Sequence, residues 1–286
     1  MTRPAPPPWP GVDDVLRRAL VEDLGRAGDI TSNATIPSDH VSSGQIVARA
    51  PGTVAGLAQS TRAFTLVDPT VDVTHDVTDG SAVAAGERLA IVSGPTRSLL
   101  AAERTSLNLL GHLCGVATVT AKMVRRVAGT KAQIVDTRKT LPGIRALQKY
   151  AVRCGGGANH RFGLDDAVLI KDNHIAAVGS LSAAVKAARH AVAHMVKVEV
   201  EVDTLEQLDE ALAAGVDAVL LDNMTAAELS EAVHRVGGRC VTEASGGVTP
   251  ATVAEIAASG VDVVSVGWLT HSAPQLDIGF DLRPTG

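Results

Sequence analysis

KVEVEVDTLEQLDEALAAGVDAVLLDNM, residues 197–224, reads as strand, helix and second strand within one short span. Val198, Val200 and Val202 alternate with Lys197, Glu199 and Glu201, which is the two-residue period of a strand. LEQLDEALAAG follows with helical character, and AVLLD makes a further strand that ends at Asp222. Strands joined through a helix run parallel. Working outward, polar strand ends recur at Glu201, Asp222 and Glu243, then at Val264-Ser265, a spacing of about 21 residues. The same pattern predicts strands at Gln133–Asp136, Ala167–Lys171, Lys197–Val202, Ala218–Asp222, Arg239–Glu243 and Asp262–Val266. Strands this apolar are buried on both faces. A βα barrel, complete or incomplete, is the expected architecture, with a doubly wound open sheet as the alternative. In either, chemistry belongs at the carboxyl ends of the strands, where the polar residues fall.

The chain before Thr130 has another style. VDDVLRRALVEDLG predicts a helix from residue 11 to about 30, with Gly25 and Gly28 near its end. QIVARA, TVAGLA, VDVTHDV and ERLAIVSG, separated by Pro51-Gly52 and Asp79-Gly80, predict a small antiparallel sheet. A long helix is expected from about Arg97 to Ala128. The first ten residues, MTRPAPPPWP, read as a flexible Pro-rich lead-in without the apolar stretch of a signal peptide. No apolar run suggests a membrane span. The 286 residues suit one large domain or two modest ones. A net charge of -5 and 2% aromatics argue against a nucleic-acid coat or a base-stacking platform. Cys114, Cys154 and Cys240 are odd in number and widely spaced, which fits a reduced cytoplasmic protein better than a disulfide framework or zinc site.

Five clusters could carry chemistry. Asp136-Thr137-Arg138-Lys139-Thr140 ends a predicted strand, and alone it could be a solvated turn. Cys154-Gly155-Gly156-Gly157-Ala158-Asn159-His160-Arg161 offers a flexible loop, but it lacks the Gly-Lys-Ser/Thr ending of a nucleotide loop. Lys171 closes an apolar strand and needs an anion, from a neighbouring carboxylate or from a ligand. Lys197, Glu199 and Glu201 share one face, which in a barrel points inward. Glu201 and Asp222, from adjacent strand ends, suit Mg²⁺; the bland alternative is a carboxylate–lysine lattice without metal. Ser245-Gly246-Gly247, leading to Thr249-Pro250 as a helix start, and Ser265-Val266-Gly267 follow the last two strands, the usual phosphate position in βα barrels. The patterns alone point to a phosphate- and carboxylate-handling enzyme.

DTRKTLPGIRALQKYAVRCGGGANHRFGLDDAVLIKDNH, residues 136–174, resembles the signature of the quinolinate phosphoribosyltransferase family. The resemblance runs nearly full length, through EDLGRAGDIT (22–31), AERTSLNLLGHLCGVAT (102–118), VEVEVD (198–203), LLDNM (220–224), EASGG (243–247) and SVGWLTHS (265–272). Departures are minor: Cys114 stands where serine is commoner, and Leu141 precedes Pro142. The resemblance implies an N-terminal α/β sandwich domain over 1–116, with a C-terminal return at 275–286, and an incomplete α/β barrel over 117–274. It implies the Mg²⁺-dependent reaction of quinolinate with phosphoribosyl pyrophosphate, giving nicotinate mononucleotide, pyrophosphate and CO₂. It also implies a homodimer in which Arg104 reaches the neighbouring subunit's site. Arg104, Arg138, His160 and Arg161 would hold the quinolinate carboxylates, and Lys139 and Lys171 would face quinolinate and the pyrophosphate. Glu201 and Asp222 would serve the Mg²⁺-bound ribose and pyrophosphate. Ser245, Gly246, Gly247, Ser265, Val266 and Gly267 would bind the 5′-phosphate.

The nearest competitor is a paralogue of the same fold, the type associated with molybdenum transport. Nicotinate phosphoribosyltransferase is a further relative, with no second carboxylate to grip. A Schiff-base aldolase with Lys139 or Lys171 as nucleophile belongs to a different class. The paired carboxylates and the Gly-rich loops disfavour it.

Overall fold

The computed structural model describes residues 4–284. Residues 1–3 of the expected lead-in and 285–286 of the expected C-terminal return lie outside the described residues. The strands are β1 (Val41–Ala48), β2 (Gly52–Thr53), β3 (Asp72–His75), β4 (Ala82–Val83), β5 (Arg88–Pro95), β6 (Gln133–Val135), β7 (Val168–Ile170), β8 (Val198–Val202), β9 (Ala218–Asp222), β10 (Val241–Ser245), β11 (Val263–Ser265) and β12 (Ile278–Pro284). Contacts divide the chain into two units, one drawn from Met1–Ala121, Thr140–Gly156 and Leu269–Gly286, the other from Lys122–Lys139 and Gly157–Trp268. This division differs from the expected boundary at 116/117, which falls inside the helix Thr96–Arg126. The helix Arg145–Cys154 groups with the first unit because Leu147, Tyr150, Ala151 and Val152 join that unit's apolar core.

In the first unit an antiparallel sheet runs β12-β1-β5-β3, and β2 pairs separately with β4. The segment TVAGLA, expected as a strand, turns instead. Gly56 adopts φ 73° and opens the helix Leu57–Val67. A Cβ there would lie 2.3 Å from a methyl of Leu113, so both the backbone and the packing require glycine. That helix buries Leu57, Ala63 and Phe64, and Phe64 meets Phe280 of β12 with ring centroids 5.9 Å apart. The first helix, Trp9–Leu24, starts inside the expected lead-in, with Pro10 tolerated in the first turn where amides have no helical partner. It stops at Gly25, φ 53°, earlier than expected; Asp29 then caps a separate short helix, Ile30–Thr35. The expected long helix is Thr96–Arg126. By length and composition it could cross a membrane, contrary to the sequence expectation, but 67% of its most apolar window is buried, as in a core helix.

The second unit holds one parallel sheet in the order β6-β11-β10-β9-β8-β7. From β7 to β11 each strand sits beside its predecessor, and β6 adds next to β11. A doubly wound sheet would reverse direction partway; one-way stepping is barrel order, and no ladder joins β6 to β7 among the described residues. The result is the expected open βα barrel. Side-chain caps start its main helices: Ser180 on Leu181–Ala191, Thr204 on Leu205–Ala213, and Thr225 with Glu228 as a capping box on Ala226–Val236. Register fixes the carboxyl ends. Glu201 pairs with Leu220 and Ser245 with Asp222, so these polar residues gather on one rim.

Candidate active site

A cleft of about 390 Å³ opens at that rim, within the size range of small-molecule sites. Its lining includes Arg138, Lys139, His160, Arg161, Lys171 and Glu201, with Asp222, Glu243, Ser245 and Ser265 completing the polar wall. Of the residues singled out in the sequence, most therefore share one cavity.

Arg138 and Lys139 stand just past β6. Asp136, fully buried, anchors this turn against the next loop by accepting from the side chain of Asn159 and, at 3.0 Å, from the backbone N–H of His160. Gly267 is needed beneath Lys139, because a Cβ there would come 2.8 Å from Lys139 Cδ. Arg161 points into the same cavity and donates from Nη1 to the Ala167 carbonyl at 3.1 Å. Burial and the nearby Arg138 guanidinium both lower its pKa. Two guanidiniums held this close call for an anion between them.

Lys171 forms a close ion pair with Glu201, each one residue past the paired Ile170 and Val200 of β7 and β8. This is the carboxylate–lysine lattice weighed in the sequence. Asp222 accepts from Asn223 Nδ2 at 2.6 Å. Mg²⁺ usually takes one or two carboxylates and completes its shell with water and substrate phosphates, so a dedicated protein cage is not required. Two carboxylates on an open rim, Glu201 and Asp222, fit that demand.

The inward charges of β8 sort themselves differently from a uniform charged face. Lys197 is exposed at the strand's entrance, 3.3 Å from Asp217, and plays no part in the lumen. Glu199 is buried and meets His160 Nε2 at 3.2 Å, while Glu243 of β10 meets the same nitrogen at 3.3 Å. Burial disfavours a charged imidazole, but the two carboxylates outweigh it and push the His160 pKa up to about 10. Burial also raises the carboxyl of Glu199, against the pull of His160. The donor atoms of His160, Glu199 and Glu243 lie within 4.8 Å of one another, a spacing that their mutual hydrogen bonds account for. The sequence reading noticed Glu199 and Glu243 but assigned neither to the site; the recurrence at 201, 222 and 243 was the available signal for Glu243.

Ser245 and Ser265 face the cleft. Gly246 and Gly247 take φ 89° and 59°, and a Cβ on Gly246 would lie 2.1 Å from Asn223 Oδ1. The expected helix start at Thr249-Pro250 is instead a turn, in which the Thr249 hydroxyl accepts from the backbone of Ala251 and Thr252; the helix is Val253–Ala258. Val266 does not line the cleft: its side chain is packed in the core, and its N–H donates to the Val135 carbonyl at 2.9 Å. Arg104 does not line this cleft. It projects from the helix Thr96–Arg126, with its side chain 63% exposed.

Models of the two domains of quinolinate phosphoribosyl transferase match this chain, the N-terminal domain over residues 29–114 and the C-terminal domain over 116–281. The nicotinate-nucleotide pyrophosphorylase [carboxylating] of Mycobacterium leprae is 50% identical over 94% of this chain and 96% of its own. The probable enzyme of the same name from Bacillus subtilis is 44% identical, over 94% and 92%. The crystal structure of NadC from Streptococcus pyogenes superposes with a TM-score of 0.95 at 39% identity, covering 99% of this chain and all of the other. Human nicotinic acid phosphoribosyltransferase, 14% identical with a TM-score of 0.64, shares the fold alone.

Proposed function

This chain belongs to the quinolinate phosphoribosyltransferase family, and on that premise we propose how its cleft carries out the family reaction. The protein is a nicotinate-nucleotide pyrophosphorylase (carboxylating). It transfers phosphoribosyl from phosphoribosyl pyrophosphate to quinolinate with loss of CO₂, a step of NAD biosynthesis. The observation that carries this reading is the juxtaposition of Arg138 and Arg161 with Lys171, Glu201 and Asp222 in one cleft. A dianionic pyridine acid and a pyrophosphorylated sugar need those opposite charges side by side.

In this reading Arg138 and Arg161 receive the two carboxylates and orient the ring, so that its nitrogen faces the anomeric carbon. The nitrogen forms the new bond as pyrophosphate leaves, and positive charge develops on the sugar. The carboxylates of Glu201 and Asp222 stabilise that charge electrostatically. Lys139 and Lys171 compensate the leaving pyrophosphate, which requires Lys171 to exchange its present partner, Glu201, for a phosphate. Glu201 and Asp222 are also the residues that would hold Mg²⁺, and the bound ion would neutralise pyrophosphate oxygens. After transfer the ring is a pyridinium, whose positive nitrogen stabilises the electron pair left in the plane at C2 when CO₂ departs; a proton then bonds to that pair and replaces CO₂ at C2. Ser245 and Ser265, with the glycine turns beside them, are suited to the 5′-phosphate.

Three finer points belong to the same proposal. The protein works as a homodimer, with Arg104 completing the site of the neighbouring subunit. It resides in the cytoplasm, in keeping with three free cysteines. Mg²⁺ is its metal. The deciding experiment is a steady-state assay with quinolinate, phosphoribosyl pyrophosphate and Mg²⁺, following CO₂ and nicotinate mononucleotide together and running nicotinate in parallel. Equal release of both products, absent with nicotinate, is expected. A folded protein without turnover would point to the molybdenum-transport-associated paralogue and withdraw the carboxylate grip of Arg138 and Arg161.

A further inference from the structure

Two buried carboxylates converge on one imidazole at the cleft. Glu199 and Glu243 reach His160 Nε2 from β8 and β10, strands separated by β9. Glu243 Oε1 is buried without a hydrogen-bond partner among the described residues. Such an arrangement costs stability, because desolvated carboxylates are poorly repaid even when paired. It calls for a purpose other than holding the barrel together.

The opposite side of the ring supplies one. The backbone N–H of Arg161 donates to His160 Nδ1 at 2.7 Å. That bond requires a lone pair on Nδ1, so the ring's own proton lies on Nε2, and the second proton that the two carboxylates draw to this cluster sits on a carboxylate oxygen facing Nε2, not on Nδ1. The backbone N–H of His160 is held in turn by Asp136. The two amides leading into Arg161 are thus both held, that of His160 by Asp136 and that of Arg161 by the imidazole. Beyond them lies a guanidinium that must stand near Arg138 against electrostatic repulsion, and it donates to the Ala167 carbonyl. A binding group in that position gains from a rigid support.

We infer that Glu199 and Glu243 are positioning residues: by clamping His160 Nε2 they turn Nδ1 toward the Arg161 amide and so hold the Arg161 guanidinium ready for a substrate carboxylate. The inference rests on the proposed grip of quinolinate by Arg138 and Arg161. It gives His160 a supporting role, since both ring nitrogens are engaged within the protein.

The test uses the full-length enzyme. The double variant Glu199→Leu/Glu243→Leu removes both acceptors of His160 Nε2 and is expected to lose stability; thermal unfolding checks that it is folded at the assay temperature, and the glutamine pair keeps the test open if it is not. Its quinolinate KM should rise about tenfold, while its phosphoribosyl pyrophosphate KM stays within about twofold. Glu199→Gln/Glu243→Gln keeps oxygen acceptors for Nε2–H and should restore the quinolinate KM to within about threefold of wild type. In an Arg161→Lys background the Leu pair should lose its effect, falling below about twofold, because both changes act through one group. Nitrogen-15 NMR of labelled histidine should find Nδ1 of His160 without a proton in the wild type. An unchanged quinolinate KM, a full effect surviving in Arg161→Lys, or a protonated Nδ1 would each overturn the inference while leaving the proposed function intact. A wild type unable to turn over quinolinate would remove the function, and this inference with it.

Discussion

At the scale of single residues, charge is distributed by partner more than by position along a strand. Arg138 has exposure and an electrostatic neighbour in Arg161, so it is available to a ligand anion. Arg138→Ala should raise the quinolinate KM and lower kcat/KM at least about tenfold, a loss of about 1.4 kcal/mol in transition-state stabilisation. Unchanged kinetics would take Arg138 out of the site. Glu201→Ala should act mainly on kcat, because the charge it is proposed to stabilise exists only in the transition state; an effect confined to KM would refute that role. Residues of this kind were legible because alternation and strand-end position are properties of local sequence. Their partners were not. His160 meets Glu199 and Glu243 across long stretches of chain, and a period of two states which face a side chain occupies, not what it touches there. Lys197 shows the converse: it shares the parity of Glu199 and Glu201, yet it lies at the strand's far end, in solvent beside Asp217.

At the scale of elements, the two ends of the barrel strands do different work. The rim opposite the cleft is stitched by Asp262, which accepts from the Thr242 N–H at 2.9 Å and from the Thr242 hydroxyl at 2.7 Å, and pairs with Lys131 at 2.6 Å. Asp262→Ala should lower stability by about 1–3 kcal/mol, since it strands a buried donor, and should leave the quinolinate KM unaltered. Denaturant unfolding and kinetics on one preparation would separate the two. Burial works to raise the Asp262 pKa, but hydrogen bonds from Lys131 and Thr242 prevail and lower it. The sign follows by linkage: the contribution is present above the ordinary carboxylate pKa of about 3.9 and is lost as pH falls through the lower folded value. The wild-type advantage over Asp262→Ala should therefore persist at neutral pH and vanish only under strongly acid conditions. Parallel strands were readable because each carries its own apolar run and capped helix. TVAGLA misled because its apolar residues suit a strand, while a left-handed Gly56 pressed against Leu113 dictates a turn. Tertiary contact decided that segment, and no local pattern records it.

At the scale of the whole molecule, the proposed homodimer has a quantitative signature. Arg104→Ala and Arg138→Ala subunits should each be nearly inactive alone. If Arg104 serves the neighbouring site, random mixing gives hybrids with one intact site, and activity should recover to about a quarter of wild type. Recovery failing in a mixture shown to exchange subunits would place Arg104 in its own subunit's site or in none. The order of synthesis also leaves a mark on this chain. β12 covers one edge of β1, with Ile278 opposite Ala48. Ribosomes add about 5–20 residues per second, so the edge of β1 waits on the order of 10–50 s for the strand that covers it. Throughout that interval the barrel segments emerge while an open edge, which can template mispairing, stays uncovered. The nascent chain is thus most exposed to aggregation at its earliest sheet, and a chaperone that binds extended strands would have its longest window of access there.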